Sequence, residues 1–250
     1  MLVPMRAILD AADKNGYAQG AFNVNAVCQV KAAVDVHQIL RSPAIIQGAD
    51  LANGFMGGRT DFANSTLEDK KAGAKNIGAA VKKYAADSDI PVALHLDHGK
   101  NFDSCIAAIE GGYTSVMIDG SSLPFDENVE LTREVVKYAH ERGVTVEGEL
   151  GVLAGVEDHV FAATSTYTNP LSAIDFFKKT GVDALAISYG TMHGANKGKN
   201  AVIRKEIAIA IKECMLHEGI EGYLVSHGSS TVPQYIVEEI NALGGEITNA

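Results

Sequence analysis

Seven short apolar runs rich in β-branched residues recur along the chain. Each is followed by a polar, glycine-containing segment and then a helix-like stretch, and this alternation constrains the fold more than any other feature. The runs are Gly20–Asn25, Pro43–Gln47, Pro91–Leu96, Ser115–Asp119, Val144–Glu149, Ala184–Tyr189 and Tyr223–Ser226. Strands separated by helices return in the same direction, so the pattern predicts an α/β fold with a parallel sheet built from βαβ units. Helix punctuation agrees: Asn169-Pro170 opens a helix that Gly181 stops, Val232-Pro233 opens one that Gly244 ends, and Asp126 to Arg142 runs amphipathically to Gly143. Pro4 and Gly16 bracket a short helix before the first strand, where a barrel would be plugged at its bottom. The segment Leu51–Asp89 is the loosest, a surface loop or active-site lid with an Asn64-Ser65-Thr66 cluster before a helical Asp69–Ala86. No Pro/Ser-rich linker or charge block divides the 250 residues, a length one α/β barrel would use, so residues 1–250 are expected to form a single domain.

Charge and cysteine usage narrow the functional classes. With 21 Lys+Arg against 31 Asp+Glu, the net charge of −10 opposes binding to nucleic acid or to an anionic membrane. An anionic small molecule stays compatible, because a metal ion and aimed backbone N–H groups can make one positive pocket on an acidic protein. Cys28, Cys105 and Cys214 are odd in number and far apart, which fits a reducing, cytoplasmic compartment rather than a disulfide framework. Nothing approaches the ~18 consecutive apolar residues of a membrane span, and Met1 to Ala18 does not resemble a signal peptide.

In parallel α/β folds, chemistry collects where the strands end at their carboxyl termini. Here these ends read His95-Leu96-Asp97-His98-Gly99, Glu147-Gly148-Glu149-Leu150-Gly151, Gly190-Thr191-Met192-His193-Gly194 and Ser226-His227-Gly228-Ser229-Ser230. Three strands deliver a histidine followed at once by glycine. Neutral imidazoles converging on one point are what an open catalytic zinc site needs, so His98, His193 and His227 are candidate ligands of one metal. His95 falls on the other face by alternation and reads as a supporting residue, while His37, His140, His159 and His217 read as surface or packing residues. Asp97, beside His98, could trade a proton with a hydroxyl of a metal-bound substrate. Glu147 and Glu149 share a strand face, and Glu157-Asp158 follow in a loop from Gly151 to Gly155 that can move; one of these acids could deprotonate carbon beside a polarised carbonyl. Gly190-Thr191 and Gly228-Ser229-Ser230 offer N–H groups and hydroxyls to a phosphate, with Lys197 as a local cation.

At these residues the chain resembles the class II, metal-dependent fructose-bisphosphate aldolases of the ketose-bisphosphate aldolase family. The likeness runs from Gly20-Ala21-Phe22-Asn23-Val24-Asn25 through Ser42-Pro43, the His95–Gly99 box, Ser115–Ser121 with Leu123-Pro124-Phe125, Glu147–Asp158, Gly190–Lys197 and Ser226–Ser230. The resemblance implies a TIM (β/α)8 barrel and one zinc held by His98, His193 and His227, with Glu149 near the metal as a further or alternative ligand. It implies reversible cleavage of fructose 1,6-bisphosphate to dihydroxyacetone phosphate and glyceraldehyde 3-phosphate, a step of glycolysis and gluconeogenesis, without lysine Schiff-base chemistry. Asp97 would handle the hydroxyl proton and Glu157 the carbon-bound proton. Gly190, Gly194, Lys197, Gly228 and Ser229 would hold a substrate phosphate, Asn23 and Asp119 would line the pocket, and a monovalent cation would find room near the phosphate loops. The family usually pairs subunits, so a homodimer or higher homo-oligomer is expected.

The departures are local except at the end. Gln47-Gly48-Ala49 stands where relatives usually carry a serine, and Met192 and Asn196 replace the more usual Ser and Tyr around His193. The family's eighth strand, its Asn-x-Asp-Thr-Asp box and the following helices find no counterpart before Ala250, and seven strands do not close an eight-stranded barrel. Tagatose-bisphosphate cleavage, or another metal-dependent aldol or epimerase reaction on a phosphorylated ketose, is the alternative enzyme reading. A non-catalytic sugar-phosphate-binding barrel would have shed ligands, yet Asp97, His98, His193 and His227 are all present.

Overall fold

The computed structural model describes residues 1–153, 155–157, 160–162, 166–194 and 202–242. Contacts divide the chain into two compact units, Met1–Asp119 with Leu131–Glu147, and Gly120–Glu130 with Gly148–Ala250.

In the first unit α1 (Met5–Asn15) is followed by β1 (Ala21–Asn23), α2 (Val27–Leu40), β2 (Ala44–Ala49), α3 (Asp50–Met56), α4 (Leu67–Ala86), β3 (Val92–Gly99), α5 (Phe102–Glu110) and β4 (Ser115–Ile118). The carboxyl-terminal part of α6 (Phe125–His140) and the start of β5 (Thr145–Leu150) complete it. The strands are parallel and adjacent in chain order, with Phe22 opposite Ile46, Ile46 opposite Leu94, and His95 opposite Ser115. All of β3 is buried, which is why its sequence reads as a run rather than an alternation. α1 buries Met5 and Ile8 against Ile45 and Ala93, so it covers the amino ends of β2 and β3 and leaves their carboxyl ends for the site. The segment Leu51–Asp89, read from sequence as the loosest part of the chain, is largely helical. α3 begins at once after β2, and the Asn64-Ser65-Thr66 cluster is a helix start, where the Thr66 hydroxyl accepts from the Asp69 N–H and the Asp69 carboxylate accepts from the Thr66 N–H.

The second unit holds the first turns of α6, the end of β5, a hairpin of β6 (Gly155–Glu157) and β7 (Val160–Ala162), then α7 (Pro170–Thr180), β8 (Ala184–Ile187), α8 (Lys205–Glu218), β9 (Tyr223–Val225) and α9 (Gln234–Ala242). β8 and β9 are parallel, with Ala184 opposite Tyr223 and Ala186 opposite Val225, and the Ser188 N–H donates to the Leu150 carbonyl at the end of β5. α7 carries the punctuation its sequence announces: Asn169 caps it by accepting from Leu171 and Ser172, Pro170 opens it, and Gly181 ends it in the left-handed region. The antiparallel pairing of β6 with β7 was not expected, since three-residue strands after a glycine-rich stretch are too short to show a period. Among the described residues no strand follows β9, and no helix is long and apolar enough to cross a membrane.

Candidate metal centre and acid–base site

The first unit brings five polar side chains to the carboxyl ends of β1 to β4: Asn23, Gln47, Asp97, His98 and Asp119. Parallel register sets Asn23 opposite Gln47, and Ala49 opposite Asp97. Gln47 Nε2 donates to Asn23 Oδ1 at 2.8 Å, and Asn23 Nδ2 donates to Asp97 Oδ2 at 3.0 Å. Asp97 is only 2% exposed, so this donor holds a buried carboxylate in one orientation. Ala49 is also buried and places no hydroxyl opposite it.

His98 follows in the left-handed region with φ 46°, and the β3–β4 register slips between Leu96 and Gly99. Such a bulge re-aims side chains that strict alternation would send to opposite faces. His98 Nδ1 lies 3.0 Å from Asp119 Oδ2, just past β4. An ionised carboxylate only accepts, so Nδ1 carries the proton and the imidazole lone pair sits on Nε2, the arrangement of a metal-ligating histidine. His95 faces elsewhere: its Nδ1 is 2.8 Å from the Ser115 hydroxyl and its Nε2 3.4 Å from Glu147 Oε2, all three buried. Glu147 is thus engaged inside the first unit, whereas Glu149, also buried, belongs to the second. Burial pushes the Cys105 thiol and the Tyr113 phenol well above their ordinary ranges, which removes both as nucleophiles or bases.

In the second unit the loops after β8 and β9 meet. The His193 and His227 rings stand edge to face with centroids 5.9 Å apart, and ligating atoms of the two lie within 4.8 Å of one another. Two imidazoles so placed can offer ring nitrogens to one metal ion, and histidine nitrogen is a donor that suits zinc. The Met192 N–H donates to the Thr231 hydroxyl at 3.1 Å, and that hydroxyl donates to the Gly228 carbonyl. Gly228 is in the left-handed region, and a Cβ there would lie 2.4 Å from the Met192 carbonyl oxygen, so a side chain would force the two histidine loops apart. Gly155, which opens β6, is constrained in the same way: φ is 118° and a Cβ would sit 2.3 Å from the His193 carbonyl oxygen. The hairpin whose first strand ends in Glu157 therefore packs directly on the His193 backbone.

Gly190 and Gly194 flank His193 with positive φ, and the Thr191 hydroxyl between them is fully buried with no hydrogen-bond partner among the described residues. The exposed Ser229 hydroxyl donates to the Ser226 carbonyl at 2.8 Å. The Ser226 hydroxyl is 2.5 Å from that of Tyr189, whose phenol burial pushes up while this hydrogen bond draws it down. Lys197, Asp158, His159 and Asn196 lie outside the described residues. Gln47, Tyr189, Thr231 and Gly155 had no place in the site as read from sequence; register and loop contact, not residue type, bring them in.

Across residues 3–249 the sequence matches the family model for class-II fructose-bisphosphate aldolase. The chain belongs to that family. It is 42% identical to the fructose-bisphosphate aldolase of Treponema pallidum, covering 100% of this chain and 75% of that protein. It is 42% identical to the enzyme of the same name from Giardia intestinalis, with 100% and 72% covered, and 39% identical to that of Thermus caldophilus, with 100% and 76% covered. Among solved structures, the YdjI aldolase from Escherichia coli K12 superposes with a TM-score of 0.75 at 28% identity, over 98% of this chain and 79% of that one. The fructose-bisphosphate aldolase of Campylobacter jejuni, at 22% identity and a TM-score of 0.75, covers 98% and 77% and speaks for the fold alone. The fold is the α/β barrel type of these aldolases.

Proposed function

We propose that the chain catalyses the reversible cleavage of fructose 1,6-bisphosphate to dihydroxyacetone phosphate and glyceraldehyde 3-phosphate in a zinc-dependent reaction. The observation that carries the reading is the buried Asp97, oriented by Asn23 and adjacent to a histidine whose tautomer Asp119 sets, within a chain that matches the class-II aldolase family almost end to end. His98, His193 and His227 are the proposed zinc ligands, with Glu149 as a further or alternative one. When bound, the ion supplies a Lewis acid that polarises the ketose carbonyl. Asp97 accepts the proton of the C4 hydroxyl as the C3–C4 bond breaks. The electron pair stays with the dihydroxyacetone phosphate fragment, and Glu157 returns a proton to its carbon. Backbone N–H groups at Gly190, Gly194, Gly228 and Ser229, with the Lys197 ammonium and a monovalent cation near these loops, hold a phosphate. Asn23 and Asp119 line the pocket.

The proposal includes a role in glycolysis and gluconeogenesis, a homodimer, and a cytoplasmic setting. The three cysteines, none in a disulfide, support the reducing compartment. Cleavage of fructose 1,6-bisphosphate followed after chelation and zinc return is the test: activity should vanish and come back, and Asp97→Ala should keep zinc yet lose cleavage. Full turnover after complete metal removal, or by Asp97→Ala, would overturn the reading.

A further inference from the structure

A left-handed backbone at a bulky residue such as His98 persists only where its surroundings over-determine it. Part of that constraint comes from β4: the Asp119 N–H donates to the Gly99 carbonyl at 3.0 Å, and Gly99 lies so close to β4 and α5 that a Cβ would be 2.5 Å from the Met117 carbonyl oxygen and 3.0 Å from Cys105 Sγ. After Gly99 the chain enters α5 within three residues. Asn101 caps α5 by accepting from the Ser104 N–H at 2.9 Å, and the Ser104 hydroxyl donates to Asp50 Oδ2, also at 2.9 Å. The same Asp50 oxygen accepts from Lys70 Nζ at 2.6 Å, while Oδ1 has no partner among the described residues. Asp50 is 1% and Ser104 3% exposed. Asp50 is also the first residue of α3 and directly follows Ala49, which is paired in register with Asp97. One buried carboxylate therefore ties the residue after the end of β2 to the helix after the end of β3, and the proposed reaction makes no use of its charge.

We infer that Ser104, anchored on the Asp50–Lys70 ion pair, is a positioning residue that holds the Asp97–His98 bulge in its working geometry. The inference rests on the aldolase reading above. Its test compares Ser104→Thr with Ser104→Val, which have the same shape and differ in the hydroxyl alone, alongside Ser104→Ala. Zinc affinity is measured by competition with a chelator, and kcat/KM by fructose 1,6-bisphosphate cleavage. The Val and Ala variants should each lose zinc affinity and kcat/KM together relative to the parent, while Ser104→Thr regains most of both. Equal zinc affinity and equal kcat/KM for Ser104→Thr and Ser104→Val, whatever their melting temperatures, would reduce Ser104 to a structural residue and overturn the inference. A parent protein that neither binds zinc nor cleaves the sugar would overturn the aldolase reading itself, a result separable from any difference between variants.

Discussion

Replacing Asn23 with alanine removes both bonds of the relay that ends on Asp97, 2.8 Å to Gln47 and 3.0 Å to the carboxylate. The two losses are unequal. Asn23 lies at an edge strand and Gln47 is partly exposed, so the glutamine amide can turn to water, whereas Asp97 is buried and its lost donor is a hydrogen bond to a charged group. Such a bond contributes about 1.5–3 kcal/mol, and if Asp97 needs it in the transition state, kcat/KM falls about 10- to 150-fold at 1.36 kcal/mol per decade. Gln47→Ala deletes only the outer, neutral bond, about 0.5–1.5 kcal/mol, or about 2- to 12-fold. Cleavage coupled to NADH oxidation measures both, with zinc content and melting temperature as controls. The decisive variant is the double Asn23→Ala/Asp97→Ala. Residues that act as a unit are non-additive, so Asn23→Ala should add little once the carboxylate is gone. A full additional loss in the Asp97→Ala background, or a larger effect from Gln47→Ala than from Asn23→Ala, would refute the reasoning.

Gly48→Ala puts a Cβ 2.2 Å from the Tyr113 hydroxyl, which itself donates to Asn53 at 2.8 Å in the core. Overpacking should cost about 1–3 kcal/mol in denaturant unfolding, and the double variant Gly48→Ala/Tyr113→Phe should be less destabilised than the sum of the singles, because the clash is with the hydroxyl; strict additivity would count against it. Gly155→Ala, with its Cβ forced against the His193 carbonyl, should lower zinc affinity and kcat/KM together by about tenfold, and unchanged zinc affinity would detach the hairpin from the metal ligands. The Thr66 N–H and hydroxyl hold the Asp69 carboxyl below its ordinary value of 3.8, so this cap is at full strength above that value and is lost as pH falls through the lowered one. Thr66→Ala should therefore reduce the melting temperature at neutral pH, and the gap to the parent should narrow in acid; a constant gap would show that the carboxylate plays no part.

What could be read without a structure was whatever depends on residue type at a local position. Pro170 and Gly181 bound a helix because one lacks an N–H where none is needed and the other tolerates positive φ, and neither requirement involves a distant residue. By the same logic Thr66 and Asp69 announced a capping box, and reading the Asn64-Ser65-Thr66 cluster as loop gave polar composition priority over a local geometric rule. The candidate ligands were visible because histidine before glycine at a strand end is a chemical signal in itself. Their supports were not. Asn23 reaches Asp97 only because three strands far apart in sequence align in one register, and a slip of one residue would send each side chain to the opposite face. His98 reaches Asp119 through a bulge that no alternation rule predicts, and the bulge is held by Gly99 against β4 and by Ser104 on Asp50. Residue type names the groups that do chemistry, while their orientation is set by neighbours that carry no chemical signature. The variants that test this chain most sharply are therefore in Asn23, Ser104 and Gly155, which sequence reading grouped with the pocket lining, passed over, or took as the end of a movable loop.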